Sequence, residues 1–249
     1  MYWADSPFPL IATPFGPHDV SKEHSSCVIA QNMAHIHNCL LRCLNAIYVQ
    51  APNVSSPQDI KDLLQLVSLW HDEIEHHHST EEEIFFPDVE KLTGQKGIME
   101  GNVEQHHLFE PGMAALKKYA TQTTVEEYDA TKLQAVIDSF GDILQQHLND
   151  EIQTLLSLKI YDSKKLQACW DRTHEHVLKT CNQKVQLPIL LGSFDVNFEG
   201  KATPPSFPWF LPYLVHYWFA RQYNASWRFL PCNFWGHPRA LPFSPKVKA

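Results

Sequence analysis

The sequence predicts an all-α protein, an antiparallel up-down four-helix bundle over residues 21–160, with a further helix and an irregular aromatic tail over 161–249 packing on it. Three observations carry this expectation. From about Ser21 to Leu158, apolar residues recur at intervals of three and four, the period of a helix with one buried face. The periodic runs stop at "APNVSSP" and "TGQKG", where proline, glycine and small polar residues break helices. The connections are short, which makes successive helices antiparallel neighbours.

The first helix is expected from about Lys22 to Gln50, the second from Gln58 to Lys91, the third from Met99 to Thr121 and the fourth from Thr124 to Leu158. At a rise of about 1.5 Å per residue, each is long enough to cross a small domain. A fifth, over "KKLQACWDRTHEHVLKTC", runs from about Lys164 to Asn182. Beyond it the composition changes to "TPPSFPWFLPYLVHYWFARQYNASWRFLPCNFWGHPRALPF", rich in aromatics and proline and poor in charge. The apolar run from Phe207 to Ala220 is too short for a membrane span and contains Pro208 and Pro212. Its tryptophans and phenylalanines are expected to pack over the bundle, since aromatic rings carry much of a core's burial. An interfacial helix, or a lid over a groove, would have the same composition.

With 249 residues, 44% of them hydrophobic, the chain can bury a substantial core. A formal charge of -8 argues against a nucleic-acid partner, because phosphate binding calls for excess lysine and arginine. The six cysteines form no C-x-x-C pair, and the opening "MYWADSPFPLIATPFG" has no basic stretch of the kind that starts a signal peptide. A reduced, cytoplasmic chain is the expectation.

The histidines carry the chemistry. Residues four apart on a helix share a face, so paired metal ligands commonly take that spacing. His77 with Glu81, His106 with Glu110 and His147 with Glu151 each have it, and the first helix offers His37. These positions interrupt apolar stripes. Trp70, Ile74, Ile84 and Phe85 flank the His77 pair, and Phe140, Leu144, Thr154 and Leu155 the His147 pair. Met33, Leu40, Leu41 and Leu44 surround His37, and Val103, Phe109 and Met113 surround His106. Three carboxylates and four imidazoles on a dry axis would destabilise the fold severely unless cations neutralise them. Mixed oxygen and nitrogen donors suit iron, manganese or zinc.

Other ionisable groups are expected to play no part. His76, His78, Glu82 and Glu83 lie a third of a turn or more off the inward face and read as a solvated surface, with His107 exposed or peripheral. His35, His71, His174 and His176 lack a partner at the right spacing. Cys39 and Cys43 read as small apolar packers rather than soft ligands.

The stretches "MAHIHNCLLRCLNAIY", "HHHSTEEEIFFPDVE", "NVEQHHLFEPGM" and "HLNDEIQTLL" resemble the hemerythrin-like, histidine-histidine-glutamate cation-binding domains, over roughly residues 21–160, and the tail resembles that of fungal members. The resemblance implies a bundle enclosing two non-haem irons, Fe2+ or Fe3+, with room for an oxo or hydroxo bridge. Manganese or zinc is the less favoured loading. Carried over, His37, His77, Glu81, His106, His147 and Glu151 are ligands, with Glu81 and Glu151 bridging. Glu110 departs from the pattern, standing where the family repeats histidine. It either binds iron as a carboxylate or turns away and leaves a position open, and both alternatives favour activation of dioxygen over reversible binding. Two functions follow: dioxygen-dependent oxidation of a small apolar organic substrate in a pocket closed by the tail, or non-enzymatic binding, storage or sensing of oxygen or iron.

Overall fold

A computed structural model describes residues 3–200 and 208–244. Phe207, where the apolar run of the tail begins, lies outside the described residues. Among those residues every regular segment is helical: α1 (Ser25–Gln50), α2 (Pro57–Thr80), α3 (Phe86–Thr93), α4 (Glu100–Gln122), α5 (Ala130–Asp138), α6 (Gly141–Ser157), α7 (Ser163–Thr180), α8 (Gln183–Ser193) and α9 (Leu211–Tyr217). The bundle consists of α1, α2, α4 and α6, with α1 packed on α2 and α6, and α4 on α2 and α6.

Local chemistry sets the boundaries. Ser56 caps α2 by accepting from the Asp59 amide, with Pro57 in the first turn, where its missing N–H is no loss. The second helix is longer than α2 alone, because a π-helical turn at Glu81–Phe85 joins α2 to α3. Its closing bond runs from the Phe86 N–H to the Glu81 carbonyl, five residues back. Such wide turns are frequent at functional sites. Gly94, at φ 68°, ends α3 in the left-handed conformation that glycine takes without steric cost.

The expected fourth helix is divided. Residues 123–129 form a connection capped by Asp129, and the helix breaks again around Ser139 and Phe140. The second break follows from the N-terminal segment. Phe8 is buried against Gly141, where a Cβ would stand 2.2 Å from the ring. Asn45 and Asn38, two turns apart on α1, hold that segment. Asn45 Nδ2 donates to the Ala4 and Phe8 carbonyls, and Asn38 Nδ2 to that of Ile11.

The C-terminal part packs on the bundle through α7 and α8, both against α1. Trp227 and Phe229 are buried there, and Gln50 Nε2 donates to the Phe229 carbonyl. The tail does not bury all its rings: Trp209 and Trp218 are 82% and 66% exposed. All six cysteines are free thiols, and no described helix is long and apolar enough to cross a membrane. Cys39 and Cys43 are buried packers, and burial pushes the Cys39 thiol up to about 12.

Candidate metal centre

Four helices deliver seven side chains to the bundle axis. His37 comes from α1, His77 and His78 from the last turn of α2, Glu81 from the start of the π turn, His106 from α4, and His147 and Glu151 from α6. They form two groups of mutually close donor atoms, His37, His77, Glu81 and Glu151 in one and His78, Glu81, His106 and His147 in the other, each within 4.8 Å. Glu81 belongs to both groups, while Glu151 stands with the first alone. His37, His147 and Glu151 are completely buried, and His77 keeps 13% of its side chain exposed.

The imidazoles are oriented from behind. His37 Nδ1 lies 2.8 Å from the Leu148 carbonyl, His106 Nδ1 2.5 Å from Glu82 Oε1, and His147 Nδ1 3.1 Å from Gln105 Oε1. Gln105 Nε2 in turn donates to Asp150 Oδ2, which fixes the amide with its oxygen toward His147. A carbonyl or carboxylate only accepts, so each Nδ1 is the N–H side of its ring. In these three rings Nε2 then points inward. His106 Nε2 and His147 Nε2 face one another at 3.0 Å, and His37 Nε2 faces His77 Nε2 at 3.2 Å. With both Nδ1 atoms of the first pair already engaged, their Nε2 lone pairs oppose one another and repel unless a proton or a cation lies between them.

The carboxylates make the same demand. His77 Nε2 stands 3.1 Å from Glu81 Oε1 and His37 Nε2 3.3 Å from Glu151 Oε2, without hydrogen-bond alignment. All four oxygens of Glu81 and Glu151, and His78 Nε2, are buried with no hydrogen-bond partner. Each such group costs about 1–3 kcal/mol, more for an ion. Burial, then Glu151 and Glu82, hold the Glu81 carboxyl well above its usual range. Burial, then His37, pushes His77 down to about 3, and burial and neighbouring imidazoles hold His78 and His147 well below the ordinary histidine value. Neutral imidazoles and unpartnered carboxyl oxygens around one axis fit a pair of cations, which would draw off the Glu81 proton and occupy every orphaned lone pair.

Two expectations need correction. Glu110 does not reach the axis: its carboxylate is 64% exposed and sits 3.4 Å from Nδ1 of the equally exposed His107. The buried residues of α4 are Asn102, His106, Phe109, Met113, Leu116 and Ala120. On a helical projection that arc lies to the i+3 side of His106, which puts Glu110 roughly 80° from its centre. His78, expected on a solvated face, is 7% exposed and completes the second group. Glu81 is the proper reference, with His77 about 40° to one side of it and His78 about 60° to the other, both within a core-facing stripe. Glu82 is also no mere surface charge, since it holds His106. His76, Glu83 and His107 do lie outside the groups. Phe109 packs against His78, His106 and His147, with ring centroids 5.0–5.7 Å away.

A third cluster, His71 with Asp72 and Glu75, lies at the surface, where Lys117 already pairs with Asp72. Neither of two surface hollows is lined by residues of the centre. One of about 360 Å³ is bordered by Pro57, Lys61 and residues 123–126, and one of about 560 Å³ lies between α3 and α7. A pocket closed by the tail is not one of them.

A bundle with buried imidazoles and carboxylates converging from all four helices defines a cation-binding helical protein. The profile described as "Hemerythrin HHE cation binding domain" matches residues 28–158, and the chain belongs to that family. It is also similar to the "Dimeric xanthone biosynthesis cluster protein R11" of Cryptosporiopsis sp. (strain 8999), 38% identical over 246 residues covering 98% of this chain and 94% of the relative. No solved structure matches.

Proposed function

We propose that the protein holds two iron ions on the bundle axis and uses dioxygen to oxidise a small apolar organic substrate. The observation that carries the reading is the set of four buried, unpartnered oxygens of Glu81 and Glu151 among five inward-facing imidazoles. His37, His77, Glu81 and Glu151 would hold one ion, and His78, His106, His147 and the shared Glu81 the other. Both oxygens of Glu151 are free to hold a cation of the first group. Such a pair, when bound, supplies dioxygen reduction, with carboxylate and imidazole donors setting its potential.

The chain's own residues do the rest. Leu148, Glu82 and Gln105 fix three imidazoles, which lowers the reorganisation that ligand exchange would require. Phe109 keeps water from the rings of the second group. The edge of His77 is the most accessible part of the first group, and approach of a small molecule is assigned there. The relative's name places that protein in a xanthone biosynthesis cluster, and an apolar aromatic metabolite is the substrate class it suggests here.

Five imidazoles against two carboxylates favour a second reading, reversible binding of dioxygen, because Glu110 adds no carboxylate and the His78 imidazole stands in the second group, so neither the carboxylate nor the open position expected at Glu110 is available. One experiment separates the two. The reduced, iron-loaded protein is exposed to dioxygen with and without an apolar aromatic test compound. Dioxygen consumption in step with loss of that compound supports oxidation. A long-lived absorption change reversed by removing dioxygen, with no compound consumed, supports carriage.

A further inference from the structure

Among the described residues, ten large hydrophobic side chains are exposed, and six of them, Trp209, Phe210, Tyr213, Leu214, Tyr217 and Trp218, fall within ten consecutive positions. Tyr213, Leu214 and Tyr217 lie on α9 itself, with Trp209 and Phe210 just before it and Trp218 just after, so the six form one contiguous exposed stripe along the segment. Val215 on α9 and Ala220 in the turn after it are buried and hold the segment to the body, and Tyr213 is braced by the Trp235 ring at 5.5 Å. The other four, Leu108, Ile143, Ile160 and Leu178, are scattered over α4, α6, the turn after α6, and α7, so among the described residues no second patch matches the stripe.

Composition and charge identify what covers it. Four of the six are tryptophan or tyrosine, whose apolar rings and polar tips suit the boundary between lipid headgroups and acyl chains. All 28 acidic residues of the chain precede residue 200, while Lys201, Arg221, Arg228, Arg239, Lys246 and Lys248 follow it. Of these, Arg228 pairs with Asp59 and Asp62, and Arg239 donates to the Leu230 carbonyl. Arg221, directly after the stripe, is exposed. No Asp, Glu, Lys or Arg lies between Lys201 and Arg221. Two copies meeting stripe to stripe would bring Arg221 of each against the other with no carboxylate in the stripe to pair it, whereas an anionic lipid surface complements both the rings and Arg221.

We propose that this stripe docks the protein peripherally on an anionic phospholipid surface, with the rings of Trp209, Tyr213, Tyr217 and Trp218 seated at headgroup depth and Arg221 against the phosphates. The test is co-sedimentation of the full chain with phosphatidylcholine vesicles, pure or containing about a third phosphatidylglycerol. Wild-type protein is expected to bind the mixed vesicles in a salt-sensitive manner. The double variant Trp209→Ser/Trp218→Ser should lose roughly tenfold or more of that binding while keeping its helical circular dichroism and iron content. Arg221→Glu should weaken binding to the mixed vesicles alone. Protein that stays in the supernatant with both vesicle types overturns the proposal, as does a double variant that binds like wild type. A concentration-dependent dimer in sedimentation velocity, abolished by the double variant in a protein that ignores vesicles, assigns the stripe to a second copy and overturns it equally.

Discussion

Replacing His78 by leucine separates its two roles, because the expected effects on metal-free and iron-loaded protein have opposite signs. Without metal, His78 Nε2 is buried with no partner, a condition that costs about 1–3 kcal/mol. Leucine is close in size and removes it, so metal-free His78→Leu is expected to unfold at higher denaturant, by about 1–3 kcal/mol. With metal, the second group keeps only His106, His147 and the shared Glu81. A drop of about a hundredfold in affinity at that position corresponds to about 3 kcal/mol. The stabilisation gained on adding iron then shrinks by a similar amount, since a ligand stabilises the state it binds. Urea unfolding of both forms, with iron analysis of each, reads both effects, and Glu110→Ala is the control expected to change neither. A His78→Leu protein that keeps two irons and the full wild-type increment would refute the placement of His78. Metal loss in Glu110→Ala would refute the placement of Glu110 outside the centre.

Other outcomes follow from the same geometry. Glu81→Gln keeps the shape of a carboxyl that burial already holds protonated, so the metal-free fold should survive while iron content falls from two toward zero; full occupancy would contradict the shared role. Glu82→Gln offers His106 a weaker acceptor and is expected to lower iron affinity by about tenfold with little change in metal-free stability, as followed by chelator competition. Glu73, buried on α2 and held only by Gln186, gives a pH signature away from the centre. Burial lifts its carboxyl from 4.5 to about 8, so the folded chain keeps the proton at neutral pH and the unfolded chain releases it. Its contribution to stability is therefore full below pH 4.5 and is lost as pH rises toward 8. Glu73→Gln should gain almost nothing near pH 4.5, about 3 kcal/mol at pH 7, and level off above pH 8; a pH-independent gain would contradict this.

Much of the fold was legible because apolar periodicity reports directly which side of a helix is buried. The bundle helices α1, α2, α4 and α6 were visible for that reason. The interruption before α6 was not, because its cause is Phe8, more than a hundred residues away, lying against Gly141. The π turn at Glu81–Phe85 has no periodic signature of its own. At the centre, spacing and apolar company singled out six side chains that the structure brings together on the axis. Glu110 misled because a spacing of four from His106 was weighed above the position of Phe109 and Met113, which mark the centre of the buried arc. His78 was missed because it stands about 60° from Glu81 on the side away from His77, an angle that a core-facing stripe still includes. Glu82 and Gln105 were beyond reach, since their roles depend on which neighbouring helix each faces.

The central claim is tested most directly by iron anomalous diffraction from crystals of the loaded protein. Two peaks about 3.5–4 Å apart are expected, one among His37, His77, Glu81 and Glu151 and the other among His78, Glu81, His106 and His147. A single peak, a peak coordinated by Glu110, or an axis that takes up no iron would contradict it.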